Sequence, residues 1–344
     1  MSFVRERAVG SVLGGKQACQ KEGTSVRYYL GIDGGGTRTT ACLCDQEGRV
    51  LCRAQAGGSN FYADGFNKAR AELRTVVQEV RQALGRDVLS CAFIGSSAIE
   101  YEADETLVRR LCDGVLECPV FMHSDVYIAL MAHAAGRLPA CMLISGTGSC
   151  AAAAGRDGAV RHWGGWGHLL GDDGSAYGIA LAGLRAAVKA FDGLAPQTAL
   201  CAAAVDEYAL NTPRDLIDRL SPRAAKADIA RFAQRVDQCA KQGDETARAI
   251  LLAAGKDLAQ LAAVCLREAG CRQIGLYGSV LTCNQAVRGQ FDQELDVLLP
   301  GARGRPLALP PEAGALLAAI ARFGADPAEP AAAALSAYFH RQGE

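Results

Sequence analysis

Residues 28–57 read YYLGIDGGGTRTTACLCDQEGRVLCRAQAG. An apolar run breaks at the glycines of 34–36, resumes as TTACLC, turns at QEG and continues through VLCRAQA. That rhythm predicts a three-stranded antiparallel meander. The element after the glycines decides the class. A dinucleotide-binding or P-loop glycine motif opens a helix whose amino end holds a phosphate, whereas here the glycines open a second strand. The segment is neither of those motifs. Three adjacent glycines are costly to order, and the gain is a bare backbone whose N–H groups form an anion-binding concavity.

The pattern returns about 110 residues later as ACMLI, SGTGS, CAAAAG, RDG and AVRHWG, over 140–164. Strand, glycine–hydroxyl turn, strand, charged turn and strand recur in the same order, which indicates duplication at domain scale. A helical segment follows each copy. One covers 66–84, with Phe66, Leu73, Val76, Val77 and Val80 at helical spacing, and the other covers 176–192. A third glycine turn, in RQIGLYGS at 272–279, sits between a long Ala/Leu-rich helix (244–268) and another near 283–293. These elements predict an α/β protein of two related domains, at 27–137 and 138–322, each presenting a hairpin to a shared cleft. Residues 323–344 form a helical tail, and 1–26 a disordered extension.

Two such hairpins facing each other would clasp a triphosphate from both sides. Gly34, Gly35, Gly36 and Thr37 serve in the first, and Gly146, Thr147 and Gly148 in the second. Asp33, being anionic, cannot hold a phosphate directly but can hold Mg²⁺ or its waters beside one. Plain tight hairpins would account for one glycine pair, and account poorly for two matched copies.

The whole chain of 344 residues is half apolar and carries 36 basic against 37 acidic side chains, a net charge of −1. That balance argues against a general electrostatic grip on nucleic acid or anionic lipid. Its 14 cysteines are scattered singly in apolar runs without any CxxC, so they read as buried thiols of a reducing cytosol. No apolar stretch reaches the roughly 18 residues of a membrane span, and AVGSVLGG is too short for a signal sequence. A cytoplasmic protein with a small-molecule partner is expected, with neither nucleic acid nor membrane, as a homodimer.

DGGGTRT, ISGTGS and the later GS resemble the first phosphate, second phosphate and adenosine elements of the actin/hexokinase/Hsp70 superfamily. That superfamily has two duplicated actin-like ATPase (ribonuclease H-like) domains. Within it, GGWGHLLGDDGSAY at 164–177 resembles the sugar-kinase signature of the N-acetylglucosamine kinase / BadF–BadG–BcrA–BcrD group. The resemblance runs over roughly 28–322. It implies ATP and Mg²⁺ as cofactors and phosphorylation of an amino sugar at its 6-hydroxyl.

Carried over residue by residue, the resemblance makes Asp125, in PVFMHSDVYIAL, the catalytic base. The carboxylate would orient the sugar hydroxyl and accept its proton as the bond to phosphorus forms. Ser124 and Asp125 equally suit a helix cap. Sugar contacts fall on Asn60, Gly165, Trp166, Gly167 and Asp172, with Asp125, while Asp173 suits the helix start. Nucleotide contacts fall on Thr37, Thr147, Gly278, Ser279 and Ala230. Two departures, Cys150 in place of an asparagine and the segment IGSSAIEYEAD at 94–104, leave glucosamine, N-acetylglucosamine and N-acetylmuramic acid open. A BadF-type ATPase that activates a 2-hydroxyacyl-CoA dehydratase is the alternative, and a non-catalytic amino-sugar sensor a third reading.

Overall fold

The computed structural model describes residues 26–220, 226–323 and 328–342. The expected extension therefore lies outside the described residues, Val26 apart. The first meander is β1 Tyr28–Gly34, β2 Arg38–Asp45 and β3 Val50–Gly57, paired antiparallel with Gly34 opposite Thr39. β4 Leu89–Ser96 and β5 Val120–Ser124 add in parallel beyond β1, giving the order β3-β2-β1-β4-β5. The second sheet repeats the plan. β6 Ala140–Ser145, β7 Ser149–Ala154 and β8 Val160–Gly164 make its meander. β9 Gln273–Tyr277 and β10 Arg303–Pro306 join in parallel, in the order β10-β9-β6-β7-β8. The two orders correspond strand for strand, so the duplication extends well beyond the hairpins.

Both faces of each sheet are covered, which is why TTACLC lacks polar alternation. Leu30, Ile32, Leu43 and Ile94 meet the Phe66–Leu84 helix through Leu73, Val76, Val77 and Val80. Tyr29, Cys42, Cys44, Cys91 and Phe93 form the other face, beneath Leu316, Ile320 and Leu335. Cys42 and Cys44 thus share one face, as a period of two requires, and the described cysteines are all free thiols. In the second sheet Leu143, Ala151, Ile274 and Leu276 pack on the helices Ala176–Phe191 and Glu245–Ala269.

Two expectations change. A second domain ending at 322 would include the helix Pro311–Phe323, but this helix packs on the first sheet, where it covers the face opposite the Phe66–Leu84 helix. The tail helix Ala328–Gln342 continues that cover through Ala331 and Leu335. The helix Glu245–Ala269 also contains an 18-residue window apolar enough to cross a membrane. Its alanines produce that composition, and Leu251, Leu258, Ala262 and Leu266 are buried in the second core.

The helix Asp125–His133 lies between the sheets. Ile128, Met131 and Ala132 face the first core, and Ala129 and Leu130 face Ala140, Met142 and Ala152 of the second sheet. A helix apolar all round is one buried all round. Two glycines set its place. A Cβ on Gly314 would lie 1.8 Å from the Ile128 carbonyl oxygen, and one on Gly31 would lie 2.4 Å from that of Glu312. Strand β1, the Pro311–Phe323 helix and the Asp125–His133 helix therefore stack backbone against backbone.

Gly314→Ala is expected to destabilise the protein by about 3 kcal/mol or more, because neither backbone can retreat. Gly289→Ala, in the Gln285–Leu298 helix with no atom within 4 Å of the new methyl, should stabilise by about 0.5–1 kcal/mol. Urea unfolding of both variants checks the contrast. A Gly314→Ala protein as stable as the parent would mean the helix crossing has slack.

Candidate active site

Asp33 sits near the end of β1, one residue before the ladder closes at Gly34 and Thr39. The turn beyond is pinned by Gly35 N–H donating to the Arg38 carbonyl at 3.0 Å, leaving Gly36, Thr37 and Arg38 exposed. The chain at 58–59 braces it from behind. Ser59 N–H donates to the Gly35 carbonyl at 3.0 Å, and the Thr39 hydroxyl donates to Ser59 Oγ at 2.8 Å. A Cβ on Gly58 would strike the Gly36 carbonyl oxygen at 2.1 Å. Glycine at 58 is thus what lets the brace approach.

The second hairpin closes with Gly146 N–H donating to the Gly148 carbonyl at 3.0 Å. It is clamped to the chain at 172–176. Ser145 Oγ donates to the Gly174 carbonyl at 2.9 Å, Ser149 Oγ to that of Asp173 at 2.7 Å, and Ala176 N–H to that of Gly146 at 2.8 Å. Asp172 is 5% exposed and holds a left-handed backbone conformation at φ 65°, a strained state for a residue with a side chain. Its Oδ1 accepts from Ser149 N–H at 3.0 Å, and its Oδ2 pairs with Lys226 Nζ at 2.5 Å. Gly278, at φ 101°, brings the end of β9 against Ser145.

Asp125 occupies the first turn of its helix, and the cap is Ser124, whose Oγ accepts from Tyr127 N–H at 3.2 Å. Asp125 Oδ1 accepts from Val126 N–H at 2.8 Å. Burial raises its carboxyl above the ordinary range, against the pull of the Val126 amide, its own amide and His162. Burial also raises Asp33, helped by the charges of Glu312 and Asp125, to about 7, with Arg38 pulling the other way. This concentration of negative charge fits a cation at Asp33. Among the described residues no group of three or more His, Cys, Asp or Glu could hold a metal alone, so such an ion would complete its shell with phosphate and water oxygens.

The remaining expected residues divide. Ala230 and Ser279 line one cavity of about 480 Å³ with Gln234, Asp237, Lys241 and Asn284. Gly165 and Trp166 line another of about 680 Å³ with Glu100, Tyr101, Cys150 and Trp163, and Trp166 is 75% exposed. Gly165 and Gly167 take positive φ angles that only glycine adopts freely. Asn60 is committed locally: its Oδ1 caps the helix Phe61–Asp64 by accepting from Tyr62 and Ala63 N–H, and its Nδ2 donates to Ser97 Oγ at 3.2 Å. Three further charged or polar residues join the site. Glu312, 3% exposed, is held by the Arg53 guanidinium at 2.7 and 2.9 Å. Tyr277 feels burial first and then the charges of Asp33, Asp125 and Glu312. Lys226 reaches Asp172 from the helix Lys226–Ala230. A lone acid in the apolar run PEAGALLAAI was the one available hint.

The BadF/BadG/BcrA/BcrD ATPase family matches residues 30–305. The chain belongs to this family. Its curated relatives include an N-acetyl-D-glucosamine kinase of Dictyostelium discoideum, 29% identical over 259 residues, which are 72% of this chain and 81% of that protein. An N-acetylmuramic acid/N-acetylglucosamine kinase of Clostridium acetobutylicum is 28% identical over 237 residues, covering 68% and 77%. A solved structure from Chromobacterium violaceum, put forward as an N-acetylglucosamine kinase, superposes with a TM-score of 0.65 at 26% identity, over 85% of this chain and 98% of that one. The paired five-stranded sheets of this BadF/BadG/BcrA/BcrD family member are the expected two-domain actin-like architecture.

The raised Asp33 carboxyl carries a stability cost with a definite sign. Its folded value of about 7 lies above the ordinary 3.8, so between those values the native chain holds the extra proton and stability falls as pH rises. Asp33→Asn should raise the ligand-free melting temperature by about 2–4 °C at pH 8. The gain should shrink toward about pH 5. Calorimetric scans across pH check it, and a variant no more stable than the parent at pH 8 would contradict it.

Proposed function

We propose that this chain is an ATP-dependent kinase that transfers the γ-phosphoryl group to the 6-hydroxyl of an amino sugar. N-acetylglucosamine is the first substrate to test, followed by glucosamine and N-acetylmuramic acid. The observation that carries the reading is a convergence at Cys150. It directly follows the second glycine hairpin and lines the tryptophan cavity. Burial, and then the charges of Asp125 and Asp172, push its thiol up to about 11, so phosphate hairpin, candidate base and candidate sugar contact share one neighbourhood. The relatives named as kinases of N-acetylglucosamine and N-acetylmuramic acid support the same substrate class.

In this reading the hairpins offer backbone N–H groups to the triphosphate, with the adenosine end in the cavity lined by Ala230 and Ser279. The sugar lies against the Trp166 side of the cleft, its 6-hydroxyl at Asp125. The sugar oxygen bonds to the γ-phosphorus, the bond to the ADP oxygen breaks, and Asp125 receives the hydroxyl proton. Burial makes this carboxylate a stronger base than one in water, which suits late proton transfer in a loose transition state. Magnesium held at Asp33, directly or through water, would neutralise phosphate charge.

Incubation of a panel of amino sugars with ATP and Mg²⁺, followed by ADP release, tests the assignment. At least one member should release ADP well above the sugar-free rate, and its 6-deoxy analogue should bind without turnover. Asp125→Asn should fold, bind both ligands and lose about 10²–10⁴-fold in turnover. No sugar-dependent ADP release from any panel member would sink the reading.

A further inference from the structure

The two hairpins are matched in backbone but not in charge. The first carries Arg38, whose charge reaches Asp33. The second, SGTGS, has no charged residue of its own. A cation stands over it all the same. A Cβ built on Gly148 would lie 2.8 Å from Lys226 Nζ and 2.7 Å from Asp172 Oδ1. The ammonium and the carboxylate thus crowd the turn where glycine has no side chain.

Lys226 belongs to the five-residue helix Lys226–Ala230. Ala230 lies four positions on and therefore on the same helix face, and it lines the cavity shared with Ser279. One helix face thus runs from the proposed adenosine cavity to the second phosphate hairpin. A nucleotide laid along it would present its phosphates to Lys226.

Lys226 in turn answers a need of its partner. Asp172 is 5% exposed, while the Lys226 side chain is about a third exposed at 31%. Asp172 Oδ2 has no partner of hydrogen-bond geometry; it has only the ammonium at 2.5 Å. A buried carboxylate needs a cation or donors at each oxygen, and in the ligand-free protein Lys226 meets that need.

We propose that Lys226 is the phosphate-binding cation of the second hairpin, and that its pairing with Asp172 is a resting contact which nucleotide breaks. The inference rests on the kinase reading for its ligands. The triphosphate draws the ammonium away, and sugar hydroxyls then donate to the carboxylate oxygen it leaves. Nucleotide and sugar therefore favour one another's binding, each by the same factor.

Titration calorimetry with ADP and with adenosine, on the parent, Lys226→Met and Lys226→Arg, tests the first part. Lys226→Met should weaken ADP binding by about 10- to 100-fold, the scale of a lost charge-assisted hydrogen bond, and leave adenosine unchanged. Lys226→Arg should retain most of the ADP affinity. Tryptophan fluorescence titration with N-acetylglucosamine and with glucosamine, with and without ADP, tests the second part. ADP should tighten sugar binding in the parent and have no such effect in Lys226→Met. Lys226→Gln, which keeps a donor, stands in if the methionine variant does not fold. Unchanged ADP affinity, an equal loss for adenosine, or coupling that survives the substitution overturns the proposal. The kinase reading fails instead if the parent protein shows no sugar-dependent turnover, which is a separate measurement.

Discussion

Everything at the cleft hangs on two places where backbone touches backbone. At Gly31 strand β1 meets the Pro311–Phe323 helix, and at Gly314 that helix meets the one starting at Asp125. Side chains at either point would drive the layers apart by more than packing can absorb. Because they are absent, Asp33 at the end of the strand, Glu312 in one helix and Asp125 at the head of the other share a single electrostatic neighbourhood. Arg53 answers Glu312 with two N–H donors on one carboxylate oxygen. The excess negative charge at Asp33 then follows from geometry, and it favours a cation there.

The hairpins are supported in different ways. The first is braced by the segment at Ser59, close in sequence, through two hydrogen bonds. The second is tied to the loop that opens the Ala176–Phe191 helix, through Ser145, Ser149 and the strained Asp172. Strain of that kind persists only where the surroundings over-determine it. Here three hydrogen bonds and an ion pair do so, and they connect the glycine turn to the loop carrying Trp166.

The sheets were legible because glycine turns and apolar runs are local signals, and duplication allowed each copy to confirm the other. The Phe66–Leu84 helix was legible for the same reason, since one face carries regularly spaced valines and leucines. Helix cover on the opposite face of the first sheet was not. The Pro311–Phe323 helix is apolar on nearly every side, so periodicity names no partner, and its neighbours in the chain belong to the other sheet. Glu312 was hidden likewise, its partner Arg53 lying 259 residues away. Lys226 sits on a helix too short to show a pattern. Asn60 illustrates the reverse difficulty: the residue type that suits a sugar amide or hydroxyl is also a favoured helix cap, and composition cannot separate the two roles.

That distant cover has a consequence for how the molecule is made. A chain emerging from its amino end produces β1 to β5 and the Phe66–Leu84 helix early. The face bearing Tyr29, Cys42, Cys44 and Phe93, met early only by the Asp125–His133 helix, stays partly open until the helices Pro311–Phe323 and Ala328–Gln342 arrive. Contacts across so long a separation form slowly, because a large loop must close before they stabilise anything. For most of synthesis the amino-terminal half is thus a half-clad sheet, its apolar face held for the last helices of the chain. The vulnerable interval is set by elongation and chaperone access as much as by intrinsic folding speed.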